Sequence, residues 1–220
     1  MRNPLESWGK SDSEWKTLDY REPLYFNGAN VVYKLGPNDC DLAKRLAKAG
    51  SVHAKYRRMI VAQCDILAPL YWWKEFDTYK VGTVANSCST MHKIHAKEFT
   101  LDDFSHEKLM VGRGGYDFLC GSGGKAQWAN VTPSGLLAVT IDCLNQCREK
   151  YLETKDKEWW WQMIQLLPSS YNQLRTVQMS YEVLAGMYRD RKNHKLDEWR
   201  DFCRMIECLS YSDLITMGVE

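Results

Sequence analysis

The sequence has 220 residues, of which 45% are hydrophobic and 26% are charged, and its formal net charge is +1 at pH 7. These values are typical of a soluble globular protein with one domain, alone or with an appendage. The near-zero net charge gives no electrostatic basis for general nucleic-acid binding, and no apolar run approaches the roughly 18 residues of a membrane-spanning helix.

Residues 1–28 are polar with scattered aromatic side chains, and we expect an irregular arm that packs through those rings. Residues 29–220 are expected to form a single domain. The first residues lack the apolar core of a signal peptide, so a cytoplasmic location is the expectation. The eight cysteines have neither a CxxC motif nor a zinc-type spacing. This pattern favours free thiols in a reducing compartment over disulfides or a metal site.

The first elements of the domain alternate between strands and helices. A turn at Gly36 precedes a helix that Asn38 or Asp39 is expected to cap, and Gly50 is expected to end it. Pro69 suits the first turn of a second helix, because proline is tolerated there. The predicted elements are a strand at residues 29–35, a helix at 40–49, a strand at 57–65 and a helix at 69–76.

A polar segment at residues 79–92 follows the apolar run at residues 66–73. It is rich in hydroxyl and amide side chains and poor in carboxylates, and Lys80 and His92 give it basic ends. Since so polar a segment is tied closely to a core element, we interpret it as lining a site for a polar, anionic ligand. A plain surface loop between two core elements is the alternative.

The second half of the chain predicts a glycine-rich mobile loop and then helices. The loop at residues 111–125 lacks the spacing of a phosphate-binding loop. The Trp159-Trp160-Trp161 run predicts core or a subunit interface, with ligand stacking as the alternative. With strands in the front half and helices in the back half, the fold class is α+β. Beyond a short helix at residues 101–104, helices are predicted from residue 134 and at residues 158–167, 173–191, 196–209 and 211–217.

Several motifs recur together in one order and spacing. They are Gly50-Ser51-Val52-His53, the apolar run 65–76 that leads into the polar segment, Leu167-Pro168-Ser169-Ser170-Tyr171, and Thr176-Val177-Gln178 followed by Arg189, His194 and Trp199. In this respect the chain resembles the flavin-dependent thymidylate synthases, the ThyX family, over about residues 38–209. The resemblance implies a ThyX-like α+β fold with an antiparallel sheet in the front half and a helical C-terminal half. It also implies a homotetramer whose sites are shared between subunits.

The family signature RHRxxSxNxxSxR has a degenerate counterpart in the polar segment. Thr78-Tyr79-Lys80 stands at RHR, Thr83 follows, and Asn86, Ser89 and Met91 complete the match with one residue inserted. The resemblance implies that Ser89 and Arg189 are catalytic. Substrate-binding residues are implied at Asn86, Ser87, Ser89, Gln165 and Arg189, and cofactor-binding residues at His53, Tyr79, Lys80, Thr83, Gln178, Asn193 and His194.

The implied activity is the methylation of deoxyuridine monophosphate to thymidylate with FAD, NADPH and methylene-tetrahydrofolate. Arginine suits this substrate, because its guanidinium binds phosphate or a pyrimidine edge through two parallel hydrogen bonds. Two alternatives stay open: a relative that transfers a one-carbon unit to another pyrimidine nucleotide, and an inactive nucleotide-binding or oligomeric relative. The missing signature cations motivate both, and Arg57, Arg58 and Arg113 are candidates to replace them.

Single residues also have purely structural alternatives. Arg189, near the end of its predicted helix, would complement the helix C-terminus. His53 would be a satisfied structural histidine, and Ser89 an ordinary loop serine.

Overall fold

The computed structural model describes residues 9–17, 31–87, 89–112, 115–122 and 125–217, which combine helices with antiparallel strands. The α+β fold class is confirmed. The strands are β1 (Glu14–Thr17), β2 (Val31–Lys34), β3 (Val61–Pro69), β4 (Thr83–Ser87), β5 (Tyr116–Ser122), β6 (Lys125–Val131) and β7 (Asn172–Ser180). The helices are α1 (Pro37–Lys48), α2 (Leu70–Phe76), α3 (Thr90–Lys93), α4 (Pro133–Thr154), α5 (Lys157–Leu166), α6 (Tyr181–Arg191), α7 (Asp197–Glu207) and α8 (Asp213–Thr216).

The strands form three small sheets. Strands β1 and β2 pair antiparallel, with Glu14 opposite Lys34, and β5 pairs antiparallel with β6. The third sheet has the order β3-β7-β4, so its central strand comes late in the chain. Contacts divide the chain into two compact units. The first unit comprises residues 1–64, 79–84 and 177–220, and the second comprises residues 65–78 and 85–176.

Helix α1 of the first unit is capped by a side chain from another segment. Its N-cap residue is Gly36, and the Asp12 carboxylate accepts the N–H groups of Asn38 and Asp39 at 2.7 and 3.0 Å. The expected capping by Asn38 or Asp39 is therefore wrong. Asp39 is fully buried and accepts hydroxyl hydrogen bonds from Ser11 and Ser13 instead. The unpaired donors of a helix start need some acceptor, and sequence proximity does not decide which one supplies it.

The helices of the first unit pack around an apolar centre. Helix α6 contacts both α7 and α8, and α1 contacts α8. The apolar face of α7 points into this centre and its charged face points to solvent, as expected of an amphipathic surface helix. The largest buried side chains of these helices are Leu184, Met187, Trp199, Ile206 and Leu214.

The expected helix over residues 173–191 is wrong in its first half. Residues Asn172–Ser180 form the strand β7, and α6 begins only at Tyr181. The Ser180 hydroxyl accepts the Val183 N–H at 3.4 Å and caps α6 at this boundary. Val177 and Met179, two residues apart, are both buried, whereas Leu174 is 46% exposed. The true periodicity of β7 is thus two, the period of a strand.

Residues 57–65 also differ from expectation, because they do not form a continuous strand. Lys55–Met59 forms a 3₁₀ helix, and strand β3 starts at Val61. Arg57, one of the cations considered as replacements, is buried in this turn. Its guanidinium faces the Glu182 carboxylate at 3.9 Å and donates to the Met217 carbonyl, so its role is structural. Arg113 lies outside the described residues.

The second unit has its own hydrophobic cluster, to which α4 contributes most. Thr132 caps α4 by accepting the Gly135 N–H, and Asp156 caps α5 by accepting the Glu158 N–H. The Asn145 side chain of α4 accepts the Phe99 N–H at 2.8 Å and donates to the Phe99 carbonyl at 2.9 Å. The buried members of the cluster are Ile94, Phe99, Phe104, Leu137, Ile141, Leu144, Cys147 and Met163.

The glycine-rich stretch, expected to be a mobile loop, belongs largely to the β5–β6 hairpin. Tyr116 pairs with Val131 at its open end, and Ser122 pairs with Lys125 next to residues 123–124, which lie outside the described residues. Of the expected irregular arm, Glu14–Thr17 forms β1, and Trp15 packs edge-on against Tyr33 with ring centroids 5.0 Å apart. Residues 1–8 and 18–28 lie outside the described part, and the division into an arm and one domain stays a prediction.

Within the described residues, no helix combines the length and the apolar character needed to cross a membrane.

Candidate functional site

Four side chains of the first unit form one cluster, which we call the Arg191 cluster: Tyr79, Arg191, His194 and Trp199. Arg191 Nε donates to the Tyr79 hydroxyl at 3.0 Å, and Arg191 Nη1 lies 3.0 Å from His194 Nε2. The guanidinium carbon lies 4.7 Å from the centre of the Trp199 ring and 5.6 Å from that of Tyr79. The cluster therefore brings together Tyr79 and His194, two of the expected cofactor-binding residues.

The turn after α6 fixes the geometry of this cluster. The His194 N–H donates to the Arg191 carbonyl at 2.9 Å, which returns the chain towards the helix end. The Arg200 guanidinium donates to the His194 carbonyl at 2.6 Å. Trp199 is fully buried on α7 and makes T-shaped ring contacts with Tyr79 and His194. The buried Trp199 indole thus positions the Arg191 guanidinium, which is half-buried, so water screens its charge only in part.

The sequence motif predicts Arg189 as the substrate-binding arginine, whereas the arginine whose side chain is oriented by its neighbours is Arg191. The Arg189 side chain is 59% exposed, and its Nε pairs with the neighbouring Asp190 at 2.9 Å. Such an exposed pair does little to fix a side chain. The signal that identifies Arg191 is an arginine at a helix end followed by a buried aromatic residue. A role for Arg189 and for the exposed Asn193 in ligand binding stays a prediction.

The other predicted cofactor-binding residues described in the first unit are not members of the Arg191 cluster. His53 is exposed in the turn after α1, and Lys80 is exposed beside Tyr79. Gln178 of β7 accepts a hydrogen bond from Gln63 at 2.8 Å. Thr83 presents a buried hydroxyl oxygen that has no partner among the described residues.

Gly82 holds the polar segment close to the start of α6. Its φ is +79°, and a Cβ at this position would lie 2.9 Å from the Val183 side chain. Its carbonyl accepts the Ser180 N–H at 3.1 Å. The left-handed backbone and the close approach together require glycine.

The polar segment contains β4 and α3, so it is not the plain surface loop that was the alternative interpretation. Asn86 and Ser87 are exposed on β4, in the second unit. Ser89 is half-buried and caps α3, where its hydroxyl accepts the His92 N–H at 3.3 Å. The expected substrate residue Gln165 is exposed on α5.

Ser89 lines a cavity of about 310 Å³ in the second unit, which we call the Ser89 cavity. Lys93 and Lys97 bring ammonium groups to its wall. Lys97 pairs with Asp103, and this hydrogen bond raises the pKa of Lys97. Burial works to raise the pKa of Asp103, but hydrogen bonds from Lys97 and the Thr100 N–H outweigh it, so the pKa lies below its ordinary value. The exposed Lys93 ammonium has no such carboxylate partner among the described residues.

A chain of hydrogen bonds fixes Gln173, one of the residues that line the Ser89 cavity. Gln173 of β7 donates to the Thr90 hydroxyl at 2.9 Å and accepts from Arg175 Nε at 2.8 Å. Arg175 in turn pairs with Asp77 at 2.8 Å and stacks 4.3 Å above the Trp73 ring centre. Since the orientation of the Gln173 amide is set from both ends, it is a fixed part of the cavity wall.

Comparisons with known proteins identify the fold. No family model matches the sequence, and no curated protein matches it significantly. Among solved structures, the chain is similar to the flavin-dependent thymidylate synthase ThyX from Helicobacter pylori complexed with FAD and dUMP, with 13% identity, a TM-score of 0.58, and coverage of 84% of this chain and 85% of that one. A second structure of ThyX from Helicobacter pylori with FAD and dUMP gives 12% identity, a TM-score of 0.59 and the same coverage. The ThyX-like α+β fold expected from the sequence is confirmed.

Proposed function

We propose that this protein binds deoxyuridine monophosphate and FAD and methylates the nucleotide to thymidylate, with methylene-tetrahydrofolate and NADPH as co-substrates. The observation that carries the proposal is the ThyX-like fold over 84% of the chain, which is also the fold of a protein crystallised with FAD and dUMP. The later part of the signature counterpart lies on β4 and at the start of α3, and it contains Asn86 and the half-buried Ser89.

The second unit offers a place for a nucleotide phosphate. A nucleoside monophosphate carries about two negative charges near neutral pH. In the Ser89 cavity the Ser89 hydroxyl and the Lys93 ammonium are suitable donors, and Gln173 and Asn172 add neutral polar groups. Amide and hydroxyl donors orient a pyrimidine ring and polarise its carbonyls without a covalent protein nucleophile.

In the first unit, Arg191 joins Arg189 in this proposal as an arginine suited to an anionic group or a pyrimidine edge. Its guanidinium is half-buried and is oriented by Tyr79, His194 and Trp199. A preorganised guanidinium loses little conformational entropy when it binds an anion or a pyrimidine edge.

The residues present fit a flavin dinucleotide in the chemistry of their donors. The exposed Lys80 ammonium is suited to a pyrophosphate. The buried Thr83 hydroxyl lacks a partner among the described residues, and Gln178 of β7, whose amide oxygen accepts from Gln63, adds a neutral polar group. When bound, FAD would supply the redox chemistry of the methylation. The chain itself would position the nucleotide and exclude water.

A specific observation favours a second candidate, an inactive nucleotide-binding relative. Tyr79 stands where the family signature has histidine, and its hydroxyl is engaged by Arg191 at 3.0 Å. Thr78 and Met91 replace two of the three arginines of the signature, so less positive charge is available for the phosphates. The transfer of a one-carbon unit to another pyrimidine nucleotide is the third candidate, for the same reason.

The absorption spectrum of the purified protein is the first test. A bound flavin would give maxima in the visible range. We expect FAD and dUMP each to raise the melting temperature, because a ligand that binds only the folded state must stabilise it. A colourless protein with an unchanged melting temperature in both ligands would refute the proposal. A flavin-free protein that binds dUMP alone would instead support the inactive relative.

The variant Lys93→Ala tests the assignment of the Ser89 cavity. We expect it to weaken dUMP binding about tenfold, which is the loss of one charge-assisted hydrogen bond. Lys74→Ala is the matched control, because Lys74 is also an exposed lysine on a short helix of the second unit but does not line the cavity. Incubation with all co-substrates and mass analysis of the nucleotide product then separates thymidylate from a hydroxymethylated product.

A further inference from the structure

A second cavity of the second unit, about 370 Å³ in volume, has a basic and aromatic lining. We call it the basic cavity. Its wall consists of His92, His95, Tyr151, Lys155, Lys157 and Trp160. None of these residues has a role in the function proposed above.

The lining combines two histidine and two lysine side chains with two aromatic rings, and it contains no carboxylate. Asp156, which lies between the two lysines in the sequence, accepts the Glu158 N–H at 3.0 Å and caps α5. Its carboxylate is therefore already engaged with the helix. A concave surface with positive charge and no internal counter-charge attracts anions.

The Tyr151 ring packs against two of the basic side chains. The His95 ring centre is 4.8 Å from it, and the Lys155 Nζ is 5.8 Å from its centre. Arg148 holds the His95 backbone by donating to its carbonyl at 3.0 Å, so the imidazole is tied to α4. The His95 Nδ1 atom is buried and has no partner among the described residues.

The backbone of Lys155 is a second and independent observation. Lys155 follows α4 in the left-handed conformation, with φ of 58° and ψ of 14°. Glycine is the usual residue at such a helix end, because a Cβ makes this conformation less favourable. A lysine here costs stability, and its side chain lines the basic cavity. Strain of this kind is typical of functional positions.

We propose that the basic cavity binds the phosphoanhydride group of a nucleoside diphosphate or triphosphate. Pyrophosphate carries about three negative charges near neutral pH, more than the two of a monophosphate, and matches two lysines assisted by two imidazoles. The volume exceeds what two phosphates fill. The Tyr151 and Trp160 rings provide an apolar surface on which a base packs, since every base has a face that stacks on an aromatic ring.

The test measures the binding of inorganic pyrophosphate by titration calorimetry to the full-length protein. We expect Lys155→Gly to weaken binding about tenfold through the lost ammonium. The same change relieves the left-handed strain and is expected to keep or raise the melting temperature. A weaker affinity thus cannot come from unfolding. Lys157→Ala is the second variant, and Lys150→Ala, on α4 outside the cavity lining, is the control.

The ligand's source is distinguished by competition. ADP that displaces pyrophosphate while FAD does not identifies a free nucleotide, and displacement by FAD identifies the dinucleotide as the source of the same group. Wild-type protein that fails to bind pyrophosphate, or equal affinity in wild type and both cavity variants, would overturn the proposal. Binding of dUMP is expected to be unchanged in Lys155→Gly, so the two proposals succeed or fail separately.

Discussion

Replacing Arg191 by alanine should destabilise the protein far more than the same change at Arg189. Arg191 makes two ring contacts, with Trp199 and Tyr79, and its guanidinium hydrogen-bonds to Tyr79 and His194 at 3.0 Å each. A partly buried cation–ring contact contributes about 1 kcal/mol, and a hydrogen bond contributes about 1 kcal/mol. Because such terms are not fully additive, we expect a loss of about 3 kcal/mol in the free energy of unfolding.

Urea denaturation followed by circular dichroism is the assay. For a chain of this size, a loss of about 3 kcal/mol corresponds to a decrease of roughly 6–12 °C in melting temperature. Arg189→Ala is the control and should change stability by less than about 0.5 kcal/mol, since its pair with Asp190 is exposed. Arg191→Lys keeps the charge but loses the planar fork, and should cost about half as much as alanine.

The reasoning would be refuted if Arg191→Ala and Arg189→Ala lowered the free energy of unfolding equally. Tyr79→Phe provides an internal check, because it removes only the hydroxyl that accepts from Arg191 Nε. Combined with Arg191→Ala in a double-mutant cycle, it should give a coupling energy of about 1 kcal/mol.

Two further predictions concern hydrogen-bonding side chains, one in each unit. The Tyr188 hydroxyl donates to Glu207 at 2.7 Å, and this bond, assisted by burial, raises the pKa of Tyr188 to about 12. The neutral phenol is therefore favoured in the folded state, and its contribution to stability, complete below pH about 10, is lost as the pH rises through about 12. In a ¹³C NMR titration of the tyrosine ring, Glu207→Gln should return this pKa towards its ordinary value of about 10, and an unchanged titration would contradict the assignment. In the second unit, Asn145→Ala removes both hydrogen bonds to the Phe99 backbone and should cost about 2 kcal/mol in urea denaturation. Gln146→Ala, exposed on the same helix, should cost almost nothing, and equal losses would argue against the Asn145 contact.

Local signals predicted most of the helices, because those segments satisfy their own hydrogen bonds and have one apolar face. Helices α5 and α7 begin and end within a few residues of expectation, and α4 begins one residue before it. Leu184 and Tyr181 lie on the expected apolar side of α6, and both are buried. The same pattern misled at residues 172–180, since Leu174, Val177 and Tyr181 have the spacing of a helix, although Leu174 is exposed and Val177 is buried on β7.

The candidate site could be predicted only in part. The motifs that resemble the ThyX family led to the confirmed fold and to Ser89, which lines a cavity. They pointed to Arg189, whereas Arg191 is the arginine that Trp199 and Tyr79 orient. Two arginines separated by one residue differ by about 200° around a helix axis. Which of them meets the buried indole depends on how α6 packs against α7, and the sequence motif does not contain that information.

The sequence by itself determined the fold class, the ends of the autonomous helices and the degenerate signature at residues 78–91. Tertiary structure decided the central strand β7, the β5–β6 hairpin and the capping of α1 by Asp12. The physical reason is the same in each case. A helix forms its hydrogen bonds within one segment, whereas a strand, a hairpin register or a cap from another segment is defined by a partner that is distant in the sequence.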